Sequence, residues 1–198
     1  GNAPLEDAAR ALEEAIQARP DRASLKARLA DVAERQGRRA EAIRMRAEAL
    51  ADSAAGLERE ERQAIGRACQ AAAQRAREAG AAGEALERLE FRAALMAEDA
   101  AAAALAFERL APLLQSEAER LFLESQLAAA QGVHVLKVYN LRQCLAIDPG
   151  HREAAIALAH SYYPEPGFLE IVVEALRGAL ERHPADAQLW HLLGQFLY

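Results

Sequence analysis

The 198-residue chain carries 24 basic and 30 acidic side chains, a formal charge of −6, and is 52% hydrophobic but only 5% aromatic. Ala, Leu, Glu, Arg and Gln dominate, threonine is absent and the strand-forming residues are scarce, so the composition specifies an all-α protein and excludes a sheet-based one. Residues 1–98 hold 17 basic and 18 acidic groups (net −1) and residues 99–198 hold 7 and 12 (net −5), which excludes the basic surface that nucleic-acid binding requires.

Proline, glycine and capping residues divide the chain into eleven predicted helices. In chain order they fall near 5–19, 22–36, 38–51, 57–79, 84–97, 99–115, 117–131, 133–147, 151–163, 167–182 and 186–198. The short connections force neighbouring helices antiparallel. Most carry an apolar stripe at three- and four-residue spacing, as in Leu5, Ala8, Ala9, Leu12, Ala15 and Ile16. The segment VHVLKVY, Val133 to Tyr139, alternates like a strand, yet it runs on without a break into NLRQCLAIDP and is therefore predicted helical. No apolar run reaches the roughly 18 residues of a membrane span. Cys69 and Cys144 sit among small or apolar residues with no CxxC spacing and no His at ligand spacing, so they read as inert buried thiols and no metal site or other cofactor is expected. The chain starts at Gly1 rather than Met, which suggests processing or trimming and leaves a lost targeting segment open.

Internal repetition is the informative signal. Pro149 and Pro184 lie 35 residues apart, and after each the chain spends two residues before a helix. The same slots recur in those helices: Ala155, Leu158, Ala159 and Tyr162 in one, Trp190, Leu193, Gly194 and Leu197 in the other. This resembles the tetratricopeptide repeat, a helix–turn–helix unit of about 34 residues with a W-x2-L-G-x2-Y first helix, an A-x3-F second helix and a closing proline. At the N-terminal end, Ala8, Leu12, Ala15 and Pro20 resemble a second helix and its proline. Leu29, Ala30, Gly37, Ala42 and Ala49 resemble the next unit, with Arg46 where the motif has Phe. The middle fits two registers, 66–97 and 83–116, and working back from Pro149 favours the second. The helix 57–79 is then left without a mate.

The resulting division is 1–56 as N-terminal repeats, 57–82 as a long irregular helix and phase break, and 83–198 as C-terminal repeats ending on a half repeat. The resemblance implies a right-handed α–α superhelix of about eleven antiparallel helices, because one repeat cannot bury its apolar face alone. It makes Ala30, Ala159 and Gly194 steric requirements of close helix pairing. It also implies a concave groove lined by first helices. In the C-terminal block that groove would carry Glu119, Phe122 and Gln126, then Ile156, His160 and Tyr163, then His191, Gln195 and Tyr198. The N-terminal block would offer Ala27, Asp31 and Arg35. This mixture of aromatic, His and amide groups suits an extended or helical peptide. Family members that clamp a terminal carboxylate use Lys, Arg and Asn where this chain has Phe122, Gln126, Ile156, His160, His191 and Gln195, so such a ligand is not expected.

The expected function is a protein-binding scaffold with a protein or peptide partner. The alternative is the repeat region of a longer protein whose neighbouring domain is an enzyme or a membrane anchor. Catalysis by the chain itself is not expected: it has no Gly-rich phosphate loop, no HExxH and no Ser-His-Asp arrangement, and His160 with His191 lacks a groove carboxylate. The apolar last helix, QLWHLLGQFLY, should bury one face and present the other to a further repeat, a second copy or a partner, so self-association through it is one expected outcome. The Ala- and Arg-rich bias suggests a bacterial source. Cytoplasm and periplasm both remain open as the compartment.

Overall fold

The computed structural model describes residues 3–18, 23–161 and 167–197. Tyr163 and Tyr198, two of the predicted groove residues, lie outside the described residues. Among those described there are eleven α-helices, one 3-10 turn and no strand. The helices are α1 (Ala3–Ala18), α2 (Ala23–Arg35), α3 (Arg39–Asp52), α4 (Arg59–Glu78), α5 (Glu84–Met96), α6 (Ala100–Leu110), α7 (Glu117–Ala130), α8 (His134–Ile147), α9 (Arg152–Ala159), α10 (Phe168–Arg182) and α11 (Ala187–Leu197).

Local chemistry sets these ends. The Asp99 carboxylate accepts the Ala102 N–H at 2.9 Å, and the Ser116 hydroxyl accepts the Glu119 N–H at 3.2 Å, each satisfying a donor the first helical turn leaves free. Gly37 and Gly132, with φ of +80° and +74°, end α2 and α7 in the left-handed conformation that only glycine adopts cheaply. Two helices are shorter than expected. α6 gives way at Ala111 to a 3-10 turn, because Pro112 has no N–H for the α ladder. α9 stops at Ala159, its last carbonyls capped by the N–H groups of His160 and Ser161. Of VHVLKVY, Val133 caps the start of α8 and the rest is helical. Val133, Val135, Leu136 and Tyr139 are exposed, and Val138 alone of its large hydrophobic residues is buried.

Contacts divide the chain into unit 1, residues 1–113, and unit 2, residues 114–198, a division at a different place from the repeat-based boundaries at 56/57 and 82/83. Within unit 1 each helix packs on the next, and α3 also touches α5. The expectation that the long helix would lack a mate is corrected here: α4 packs against both α3 and α5. Its apolar face, Cys69, Ala73 and Ala76, joins Ala47 and Ala51 of α3 and Leu86, Leu89 and Ala93 of α5 in one core. Within unit 2, α7 pairs with α8, α8 meets α9, α9 meets α10, and α10 pairs with α11. Its core is built from larger side chains, among them Leu141, Leu158, Val172, Leu176 and Leu189.

Small residues matter, but not all where the motif put them. Ala30 is fully buried and Ala159 partly so. Gly194 faces open space, so the steric requirement assigned to it does not hold. The close approaches are at other glycines. A Cβ on Gly66 would lie 2.5 Å from the Ala97 amide nitrogen and 2.9 Å from the Ala93 carbonyl oxygen, backbone atoms at the end of α5. A Cβ on Gly178 would lie 3.0 Å from the Pro149 carbonyl oxygen. The proline that stops α8 is therefore seated on α10.

Candidate functional site

The described residues proposed for the C-terminal groove lie on α7, α9 and α11, alternate helices of unit 2, with His160 capping the end of α9. Two side-chain links tie these helices near their N-terminal ends. The Phe122 ring on α7 packs on the His151 ring, which caps α9, with centroids 4.8 Å apart. At the other junction Arg152, the first residue of α9, donates through Nε to Asp186 and through Nη2 to Gln188 at 3.1 Å. Asp186 also accepts the backbone N–H groups of Gln188 and Leu189 at 2.9 and 3.0 Å, so one carboxylate caps α11 and anchors it to α9. The Arg152 hydrogen bond, followed by these backbone bonds, holds the Asp186 carboxyl below its ordinary value.

Phe122 and Ile156 are half-buried against the unit 2 core, and Gln126 is half-buried on α7. His160, at the end of α9, is exposed. His191 and Gln195 are exposed one turn apart on α11 and share a hydrogen bond of 3.1 Å. The described groove residues therefore split into a partly packed aromatic and aliphatic set and an exposed polar set. Trp190 departs from its motif slot. Its ring is 55% exposed, and its indole Nε1 donates to the Pro184 carbonyl at 2.9 Å, while the buried stripe of α11 is Leu189, Leu192 and Leu193. Among the described residues no group of three or more His, Cys, Asp or Glu side chains could hold a metal ion. Cys69 and Cys144 are free and buried, and burial pushes the Cys144 thiol up to about 12.

In unit 1 the proposed groove acid Asp31 is already engaged. Arg46 on α3 donates to Asp31 at 2.8 Å and to Glu34, both on α2. Arg46 thus joins the two helices by charge where the motif would use a packed Phe.

The polar centre that the sequence left unmarked lies on α4, α5 and α6. Arg77 donates to Glu87 at 2.7 Å and to Glu90 at 3.0 Å; Arg109 donates to Glu87 at 2.9 Å and also to Glu90. Two guanidinium groups and two carboxylates cancel in charge, and Glu87 is buried among them. Its four members come from three helices, so no local motif announces them; the only signal is the i, i+3 spacing of two glutamates on a face otherwise made of Leu86, Leu89 and Ala93. A second network joins Lys26 of α2 and Arg92 of α5 to Asp52 at the end of α3, at 2.6 and 2.5 Å. Every charge in these networks has a partner, which suits cohesion rather than chemistry on a substrate.

The chain matches no protein-family model and no curated protein. No described helix is long and apolar enough to cross a membrane.

Proposed function

We propose that the chain is a tetratricopeptide-like binding scaffold, in which the antiparallel pairs of unit 2 stack as repeats and α7, α9 and α11 receive a peptide or a helix of a partner protein. The observation that carries this reading is the arrangement of those helices. They are tied together near their N-terminal ends through Phe122–His151 and Arg152–Asp186, while His160, His191 and Gln195 stay exposed beside half-buried Phe122, Gln126 and Ile156. Half-buried apolar anchors flanked by exposed groups that both donate and accept hydrogen bonds are what peptide recognition uses. The paired charges of unit 1 argue against placing the site there. Catalysis by the chain is not part of the proposal.

The test is a selection of peptides from a displayed library on the chain, followed by NMR mapping of one selected peptide. Shifts centred on α7, α9 and α11, with binding weakened at least tenfold by the paired change His191→Ala/Gln195→Ala, are the expected result. Shifts centred on α8 and α10, with binding unchanged in that variant, would refute the assignment. His191 and Gln195 are exposed, so these changes leave the core intact.

A further inference from the structure

A different face of unit 2 carries an unpaired surface with a definite pattern. Leu169 of α10 and Leu197 of α11 are 51% and 52% exposed. With Val173 and Phe196 they line a shallow groove of about 590 Å³ between the two helices, framed by Glu170, Glu174 and Arg177. Residues 169, 173 and 177, and 170 and 174, recur at four-residue spacing, so all five share one face of α10. Glu170 and Arg177 are two turns, about 10 Å, apart along that face, with Val173 between them. Among the described residues neither has a hydrogen-bond or ion-pair partner. By contrast, the other arginine at this end of α10, Arg182, is bound by Asp148 at 2.7 Å.

We propose that this face is a homodimer interface, with α10 of one copy lying antiparallel to α10 of a second copy. The occupant follows from the order of charges. The face reads Glu170, Val173, Glu174, Arg177, and when it is reversed its two ends pair unlike charges, because each Glu170 then faces the Arg177 of the other copy, while Val173 and Glu174 of both copies meet near the centre. An isologous interface requires this kind of self-complementary patch. A partner helix of uniform charge would instead meet a like charge at one end, at a cost in affinity. The apolar share of the interface comes from Leu169, Val173, Phe196 and Leu197, surface that association removes from water. None of these is among the residues assigned to the peptide groove, so the dimer stands or falls separately from that proposal.

The experiment is sedimentation velocity with light scattering on the 198-residue chain over a wide concentration range. Wild type is expected to show a concentration-dependent monomer–dimer equilibrium. Glu170→Arg puts a positive group at both ends of the stripe and Arg177→Glu a negative group at both ends. Each alone places like charges at both reciprocal contacts and should raise the dissociation constant at least tenfold. An equimolar mixture of the two variants pairs opposite charges at every contact and should restore dimers, all of them mixed. Leu169→Lys, at a side chain outside the core, is a further route to the same loss should a charge variant lower the melting midpoint. A wild type that stays monomeric, single variants that dimerise unchanged, or a mixture that remains monomeric would each overturn the proposal.

Discussion

Units 1 and 2 use the same element, the antiparallel helix pair, and hold it together by different physics. The core that joins α3, α4 and α5 of unit 1 is rich in alanine: Ala47, Ala51, Ala73, Ala76 and Ala93 pack with Leu86, Leu89 and Cys69, and Ile43, Ile65 and Met96 lie partly buried against them. An alanine buries a single methyl, so each contact yields little and the helix axes must approach closely. Charges then do much of the joining, through Glu87 with Arg77 and Arg109, Asp52 with Lys26 and Arg92, and Arg46 with Asp31 and Glu34. Unit 2 relies on buried leucine and valine, and among its described residues Arg152–Asp186 and Arg182–Asp148 are charged links between helices that stand beside them. Packing each helix on the next therefore does not fix what makes the helices cohere. Side-chain size decides how much of that task falls to ion pairs.

This contrast can be broken most sharply in unit 2. Leu158 is fully buried and touches the core from α9, so Leu158→Ala should cost about 3 kcal/mol, within the usual range for cavity-forming truncations. Denaturant melts should show the loss to be independent of salt; a cost below about 1 kcal/mol would mean that the core is loosely packed. The counterpart in unit 1 is Glu87→Gln. It leaves two arginines short of a buried carboxylate, and a loss of about 2 kcal/mol is expected, below the full value for a buried pair because Arg77 and Arg109 are partly exposed. High salt should leave this loss largely in place, since Glu87 itself is buried, whereas any contribution of the exposed Arg59–Glu98 pair should fade. If both respond alike to salt, the claim that charge is internal to the cohesion of unit 1 fails.

The glycines sharpen the same comparison at a smaller scale. Gly66→Ala puts a methyl against the backbone at the end of α5, and only separation of α4 from α5 can relieve it. The gain in helix propensity, roughly 1 kcal/mol, offsets part of the overpacking, leaving a net loss of about 1–2 kcal/mol. Gly194→Ala has open space before it and should instead stabilise α11 by up to about 1 kcal/mol. Opposite signs in the two melting midpoints are the outcome to look for. Equal signs would sink the close-approach argument.

How much of this could be read from the chain follows from the range of each interaction. The helix order was legible because its signals are local: Asp99, Ser116 and Asp186 cap within three residues, and Pro149 stops α8 by its own covalent structure. Packing between neighbouring helices was half legible. Ala30 and Leu158 are buried as their periodicity requires, but Trp190 is exposed and Gly194 is unopposed, because a motif slot does not say whether a neighbour is there to fill it. The networks at Glu87 and Asp52 were not legible at all. Their partners lie 10 to 40 residues away, and an arginine on a helix face looks the same whether it meets solvent or a carboxylate. Of the candidate groove, Phe122 could be placed on a helix facing α9, but its stacking on His151 depends on how α7 meets the start of α9, which no spacing encodes.

The smallest expected effect separates the joints of unit 2 from its core. Asp186 holds α9 to α11 through Arg152, and that hydrogen bond, with the backbone donors of Leu189 and Gln188, keeps its carboxyl below the ordinary aspartate value of 3.8. A group whose pKa is lower in the folded than in the unfolded chain contributes its full stability above the unfolded value and loses it as the pH falls through the folded one. The contribution of this joint should therefore be constant from neutrality down to about pH 4 and decline below it. Asp186→Asn keeps an oxygen to cap α11, since Asn and Asp are comparable N-caps, but removes the charge that Arg152 binds. The variant should melt slightly lower than wild type at pH 7 and converge with it in acid. A carboxyl resonance of Asp186 that titrates at or above the ordinary value would show that Arg152 does not hold it in solution, and the α9–α11 junction would then rest on the Arg152–Gln188 hydrogen bond and on Leu189 and the core beneath it.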